Sequence, residues 1–132
     1  MHYMLDTNIV SEMIRNPAGR VAQRARAAGD SVHVSVIVAA ELRYGCVKKG
    51  SPQLLRKVEE FLSEVPVLPF EVPPADSEYG AIRAELEAAG CPIGSNDLLI
   101  AAHARAVGAT LVTANVGEFG RIRGLNVENW TA

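Results

Sequence analysis

The chain has 132 residues, enough for one domain with a real core, and its 48% hydrophobic and 21% charged residues are ordinary for a globular protein. A formal net charge of -2 argues against a strongly basic nucleic-acid wrapper but leaves room for a local basic patch. Cys46 and Cys91 belong to no CxxC pair or zinc-ligand spacing, no leader-like N-terminus is seen, and no apolar run approaches a membrane span, so reduced thiols and a cytoplasmic location are expected.

The first element is a short apolar strand, Tyr3-Met4-Leu5, that ends in a carboxylate, Asp6. Asp6 is either a helix cap or a functional group, since strand carboxyl ends are where open α/β sheets bind ligands. A helix follows over Ile9–Arg15, stopped by Asn16-Pro17, and a second from about Ala18 to Ala28 with Val21, Ala22 and Ala25 inward. Val32-His33-Val34 reads as a strand, and Ser35 caps a helix running to Lys49. In that helix Glu41 is flanked at one-turn spacing by Ile37, Val38, Tyr44 and Gly45, so a carboxylate lies on an apolar face beside a glycine. Glutamate is rarely buried without a partner, which favours a functional reading.

Ser51-Pro52 starts a helix whose stripe is Leu54, Leu55, Val58, Phe61 and Leu62. Val65 to Pro69 carries two prolines and is expected at a sheet edge. Pro73-Pro74 connects to a helix over Asp76–Ala89 with Tyr79, Ile82 and Leu86 inward. After Gly94, Ser95 and Asn96 are candidate caps for a helix apolar nearly all round, from Leu98 to Ala104, which makes Asp97 surplus as a cap. His103 reads as a packed histidine, because it does not share a face with Asp97. Thr110 to Thr113 is a core strand, Ala114 to Glu118 the loop at its end, and Leu125 to Trp130 a closing strand-like segment.

Alternating strands and helices imply an α/β fold with a mainly parallel sheet covered on both sides. Asp6, Glu41, Asp97 and Glu118 can then face one sheet edge. Two carboxylates ~4 Å apart repel by roughly 4 kcal/mol at an effective dielectric near ~20, and no Lys or Arg adjoins Asp6 or Asp97 in sequence. A hard divalent cation such as Mg²⁺ or Mn²⁺ is the natural counter-ion, and such sites chiefly serve phosphoryl transfer.

The motifs Met4-Leu5-Asp6-Thr7-Asn8, Val38-Ala39-Ala40-Glu41-Leu42, Pro92 to Ala104, and Leu111 to Phe119, with the closing Gly124 to Trp130, resemble the PIN-domain ribonuclease toxins of the VapC type over essentially the whole chain. The resemblance implies a PIN-like three-layer α/β/α sandwich spanning 1–132 as one domain. It implies a metal-dependent endoribonuclease, a homodimer, and silencing by a VapB-type antitoxin. By position, Asp6 and Asp97 would be Mg²⁺ ligands and Glu41 a third ligand or the holder of a metal-bound water. For the fourth acidic position either Glu118 serves or Asn115 orients a water, with Asn8 and Thr113 as auxiliary polar groups. Arg15, Arg20 and Arg43, together with Arg24, Lys48 and Lys49, are candidates to hold the RNA backbone.

Three other readings compete with this one. A haloacid-dehalogenase-like phosphatase would place an acid where Asn8 stands, and a receiver-like signalling domain would need a second acid beside Asp6 and a late lysine. A PIN fold serving only as a binding module is opposed by Asp6, Glu41 and Asp97 but kept open by the neutral Asn115.

Overall fold

A computed structural model describes residues 2–131. Among these, five strands form one all-parallel sheet in the order β3-β2-β1-β4-β5: β1 (Tyr3–Leu5), β2 (Val32–Ser35), β3 (Val67–Leu68), β4 (Thr110–Val112) and β5 (Val127–Glu128). Helices flank it: α1 (Thr7–Arg15), α2 (Arg20–Ala28), α3 (Val36–Lys49), α4 (Pro52–Glu64), α5 (Ala75–Ala88), α6 (Ser95–Val107) and the one-turn α7 (Val116–Phe119). The expected α/β sandwich with a parallel central sheet is therefore the observed one.

β1 is the pivot of this topology. The chain winds from β1 outward through β2 to β3, then crosses back to place β4 on the other flank of β1. Strand order thus reverses beside β1, and in open parallel sheets the crevice at such a point, outside the carboxyl ends, is the ligand site. Tyr3, Met4 and Leu5 pair with Thr110, Leu111 and Val112, and the Asp6 amide donates to the Val112 carbonyl at 2.9 Å. The register therefore sets Asp6 and Thr113 side by side at that edge.

The core is aliphatic, as the scarcity of aromatics requires. Met4, Leu5, Ile9, Val34, Val38, Ile82, Ile100 and Leu111 are all essentially sealed from solvent, with Phe119 and Trp130 the largest contributors. α6 is buried on nearly all sides through Leu98, Ile100, Ala101, Ala102, His103 and Ala104, which explains its lack of a polar face. The proline-bearing segment does form an edge strand, β3, shortened to two residues. In α4 only Val58 is fully buried, and Leu55 stays exposed, so the helix rides the rim and its apolar stripe is half-covered.

Three departures from expectation bear on the carboxyl edge of the sheet. α1 begins two residues early, at Thr7, because Asp6 itself is the N-cap and accepts from the Thr7 amide at 2.8 Å. α6 begins at Ser95 with Gly94 as N-cap, and neither Ser95 nor Asn96 caps it. The loop after β4 contains α7, whose burial of Phe119 folds the segment back on the core.

One buried polar pair ties α3 to α6. Ser35 caps α3 by accepting from the Ile37 amide at 3.0 Å, and its hydroxyl lies 2.7 Å from His103 Nδ1. Burial holds the His103 imidazole below its ordinary value, opposed by the Pro69 carbonyl and by Glu71. Its Nε2 closes no hydrogen bond of good geometry, and the ring packs edge-on against Phe70. His103 is thus a core residue. Ser35→Ala removes a cap and orphans a buried ring nitrogen, so it should lower stability by about 2 kcal/mol in denaturant unfolding. A loss under ~0.5 kcal/mol would mean that the pair adds little beyond surface-type substitutions.

Candidate active site

Four acids meet at the carboxyl edge. Asp6, at the end of β1, is only 6% exposed. Its Oδ1 accepts from the Thr7 amide, and its Oδ2 accepts from the Thr113 hydroxyl at 2.8 Å. Thr113 is fully buried just past β4, and its oxygen in turn accepts from the Asn115 amide at 3.0 Å. Cap and site are therefore one residue: the bonds that start α1 also fix the carboxylate. Burial raises the Asp6 pKa, the hydrogen bonds from Thr113 and Thr7 oppose this, and the charges of Glu41 and Glu118 raise it further.

Glu41 reaches the edge from α3. Its Oε1 accepts from the Thr7 hydroxyl at 2.5 Å and its Oε2 from the Asn96 amide at 3.2 Å. It pairs with neither Arg43 nor Lys48. The apolar helical face proposed for Glu41 is instead a half-buried position whose carboxylate is held by groups from α1 and α6.

Asp97 occupies the first turn of α6, half-buried. Its carboxyl is pushed up from 3.8 to about 7, first by burial, then by a hydrogen bond with Glu118, then by the charges of Asp6, Glu118 and Glu41. Glu118, on α7, also accepts from the Asn115 amide side chain at 2.9 Å. Glu118 and Asn115, weighed as alternatives, are thus joined: Asn115 orients Glu118. Ser95 and Asn96 do not make Asp97 surplus, because neither caps α6 and Asn96 is turned to Glu41 instead.

None of the four acids has an ion-pair partner among the described residues. Nor, among those residues, is any group of three or more His, Cys, Asp or Glu side chains placed to hold a metal ion together. The arrangement is an open, oxygen-only cluster with fixed rear supports. Thr7 and Asn96 are the supports that sequence reading did not single out for Glu41. Their signal was a hydroxyl and an amide adjacent in sequence to the site acids Asp6 and Asp97.

The basic candidates divide. Arg15 and Lys49 line a cavity of about 250 Å³ that also contains Thr7 and Glu41. Arg43 is engaged in an ion pair with Glu59 of α4, and Arg24 lies over the Trp130 ring and near Glu128. Arg20 opens α2, exposed, and Asn8 is exposed on the first turn of α1. The described residues contain no helix long and apolar enough to cross a membrane.

Residues 3–125 match the PIN domain family. Ribonuclease VapC2 of Haemophilus influenzae is 40% identical over 131 residues, covering 98% of each chain. The tRNA(fMet)-specific endonuclease VapC of Shigella flexneri is 38% identical over 132 residues, 99% of each. Among solved structures, the VapBC2 complex of Rickettsia felis bound to a promoter DNA fragment contains a chain superposing with a TM-score of 0.91 at 41% identity, covering 98% of this chain and 99% of that one. Sequence, topology and the acid-bearing edge thus agree: the chain belongs to the PIN domain family and, within it, to the VapC proteins.

Proposed function

We propose that the chain is a Mg²⁺-dependent endoribonuclease, the toxin of a VapBC-type pair, acting as one domain over 1–132 in the cytoplasm. Its substrate is an RNA phosphodiester, and its partners are a VapB-type antitoxin and a second copy of itself. Mn²⁺ can replace Mg²⁺. The observation that carries the reading is the convergence of Asp6, Glu41, Asp97 and Glu118 at one sheet edge with no cationic side chain paired to any of them. The names of relatives, a ribonuclease and a tRNA endonuclease, support the same chemistry.

The donor set fits the ion. Mg²⁺ takes oxygen ligands, keeps several waters and needs only one or two carboxylates, so an open cluster suits it better than a closed cage. Asp6 and Asp97 would hold it, and Glu41 would be a third ligand or would hold a bound water. Such an ion supplies a water of lowered pKa and a counter-charge for the phosphoryl oxygens. Thr113 and the Thr7 amide fix the Asp6 oxygens, and Thr7 and Asn96 fix those of Glu41. Glu118, steered by Asn115, hydrogen-bonds with Asp97 and completes the acidic edge.

The test is purified chain, freed of partner, incubated with structured RNAs in Mg²⁺ or in EDTA. Cleavage in Mg²⁺ alone is expected. A chain that binds no divalent ion by calorimetry and leaves every RNA intact would sink the reading. Thr113→Val gives a finer check. It removes the hydroxyl behind Asp6 and should reduce cleavage about 10–100-fold, the usual loss for a partner behind a metal ligand. Excess Mg²⁺ should recover part of that loss, whereas full activity in the variant would deny Thr113 its positioning part.

A further inference from the structure

The cavity beside Glu41 is not needed to hold a cation, yet it opens directly from the acid cluster. Thr7 and Glu41 belong to both. At about 250 Å³ it is smaller than the ~300–1,000 Å³ of pockets that hold drug-sized ligands, which suits a single ring system. Its walls are aliphatic, with Ile14 from α1, Leu42 from α3 and Leu54 from α4. Ser11 offers one hydroxyl among them. Its remaining charged lining, apart from Glu41, is Arg15 and Lys49, the last residues of α1 and α3.

Gly45 lines the same space, one turn beyond Glu41. A Cβ built there meets nothing within 4 Å. Its backbone is ordinary helix, so no positive φ calls for glycine, and glycine is a poor helix former. The missing side chain leaves room in the cavity and nothing else.

Resting on the nuclease reading, we infer that this cavity receives one unstacked RNA base adjacent to the scissile phosphate, with Gly45 leaving it room and Arg15 and Lys49 holding the flanking phosphates. Because Glu41 and Thr7 belong to both cavity and acid cluster, the occupant would lie beside the cleaved bond. The two cations match a polyanion that the acids alone would repel. RNA is commonly recognised through splayed-out bases of loops and ends, whose flat faces pack on side chains while an edge finds a polar group. Arg15 now bonds Glu12 at 3.1 Å, but both side chains are exposed enough for that pair to be exchanged for a phosphate.

The test is Gly45→Leu, which fills the cavity and strengthens α3, with Gly45→Ala as the graded step. The probe is a pool of RNA hairpins with randomised loops, cut in Mg²⁺, with cut sites mapped. Gly45→Leu should lower kcat/KM about tenfold at the preferred sites, chiefly through KM, and flatten the preference among loop sequences. Its Mg²⁺ affinity and thermal midpoint should not fall. Lys49→Ala should raise KM alike at every site and reduce the salt dependence of binding. If Gly45→Leu cuts the same sites with the same KM, the cavity serves another occupant, such as a side chain of a protein partner, and the inference falls while the nuclease reading stands. If the wild-type chain cuts nothing in the pool, the nuclease reading fails and takes the inference with it.

Discussion

Asp6→Asn is expected to give a chain that folds but no longer cuts RNA, with cleavage reduced by more than about 100-fold, beyond the usual loss for an outer partner of a ligand. Asn caps helices as well as Asp, so α1 should still start at Thr7. The carboxylate is nevertheless the one acid of the cluster that is almost sealed from solvent and braced on both oxygens. Its replacement removes a negative charge whose burial is unfavourable in the metal-free chain, as the raised pKa indicates. Two readouts separate the roles. Thermal unfolding without metal should show a midpoint unchanged or higher, and calorimetry should show weakened Mg²⁺ binding. A variant that cuts RNA at a wild-type rate would remove Asp6 from the chemistry, and one that unfolds would make it chiefly a cap.

The second large effect concerns pH. In the folded chain without metal, Asp97 holds its proton up to about 7, against an ordinary 3.8. A carboxyl with a raised folded pKa binds more protons folded than unfolded between those values. Its contribution to stability therefore falls as pH rises from about 4 to about 7, then levels off. The half-buried position is screened by solvent, so the loss should be on the order of 1–2 kcal/mol, well short of what the full shift implies. Other acids pull the opposite way, Glu59 among them, held below its usual range by Arg43. The measurement is therefore the difference between wild type and Asp97→Asn in EDTA, by denaturant unfolding across that range. Wild type should lose ground to the variant with rising pH. With Mg²⁺ the sign reverses, because the ion binds only the deprotonated ligands, and its stabilisation should grow as pH passes through about 7. A wild-type-minus-variant difference that is flat with pH in EDTA would mean that neither burial nor the acidic neighbours raise Asp97.

Much of the fold was legible locally. Tyr3-Met4-Leu5 followed by Asp6, the two prolines around β3 and the all-round apolar α6 each carry their structural meaning within a few residues. The four candidate acids were visible locally as well, since Asp6 and Glu118 follow strands, Asp97 opens a helix and Glu41 lies on a helical face. What local reading could not reach was which polar groups hold those acids. Thr113 and Asp6 are 107 positions apart, and Thr7 and Glu41 are 34 apart. Only the pairing of β1 with β4 and the packing of α1 on α3 join them. Asn96 shows the limit most clearly. Propensity marks it as a cap, but a carboxylate from another helix claimed its amide. Basic residues were the least legible, because a long flexible side chain takes whichever acid is near, as Arg43 does with Glu59.

The central place of β1 has a consequence for how the activity comes into being during synthesis. β1 is made first, but one of its two neighbours, β4, is made last but one among the strands described. Asp6 is not braced until Thr113 has arrived, and Asp97 has no edge to share until then. Parallel pairings over such separations form late, after much loop-closure entropy has been lost. A growing chain thus carries these acids scattered, and the acidic edge is assembled only once β4 has been made.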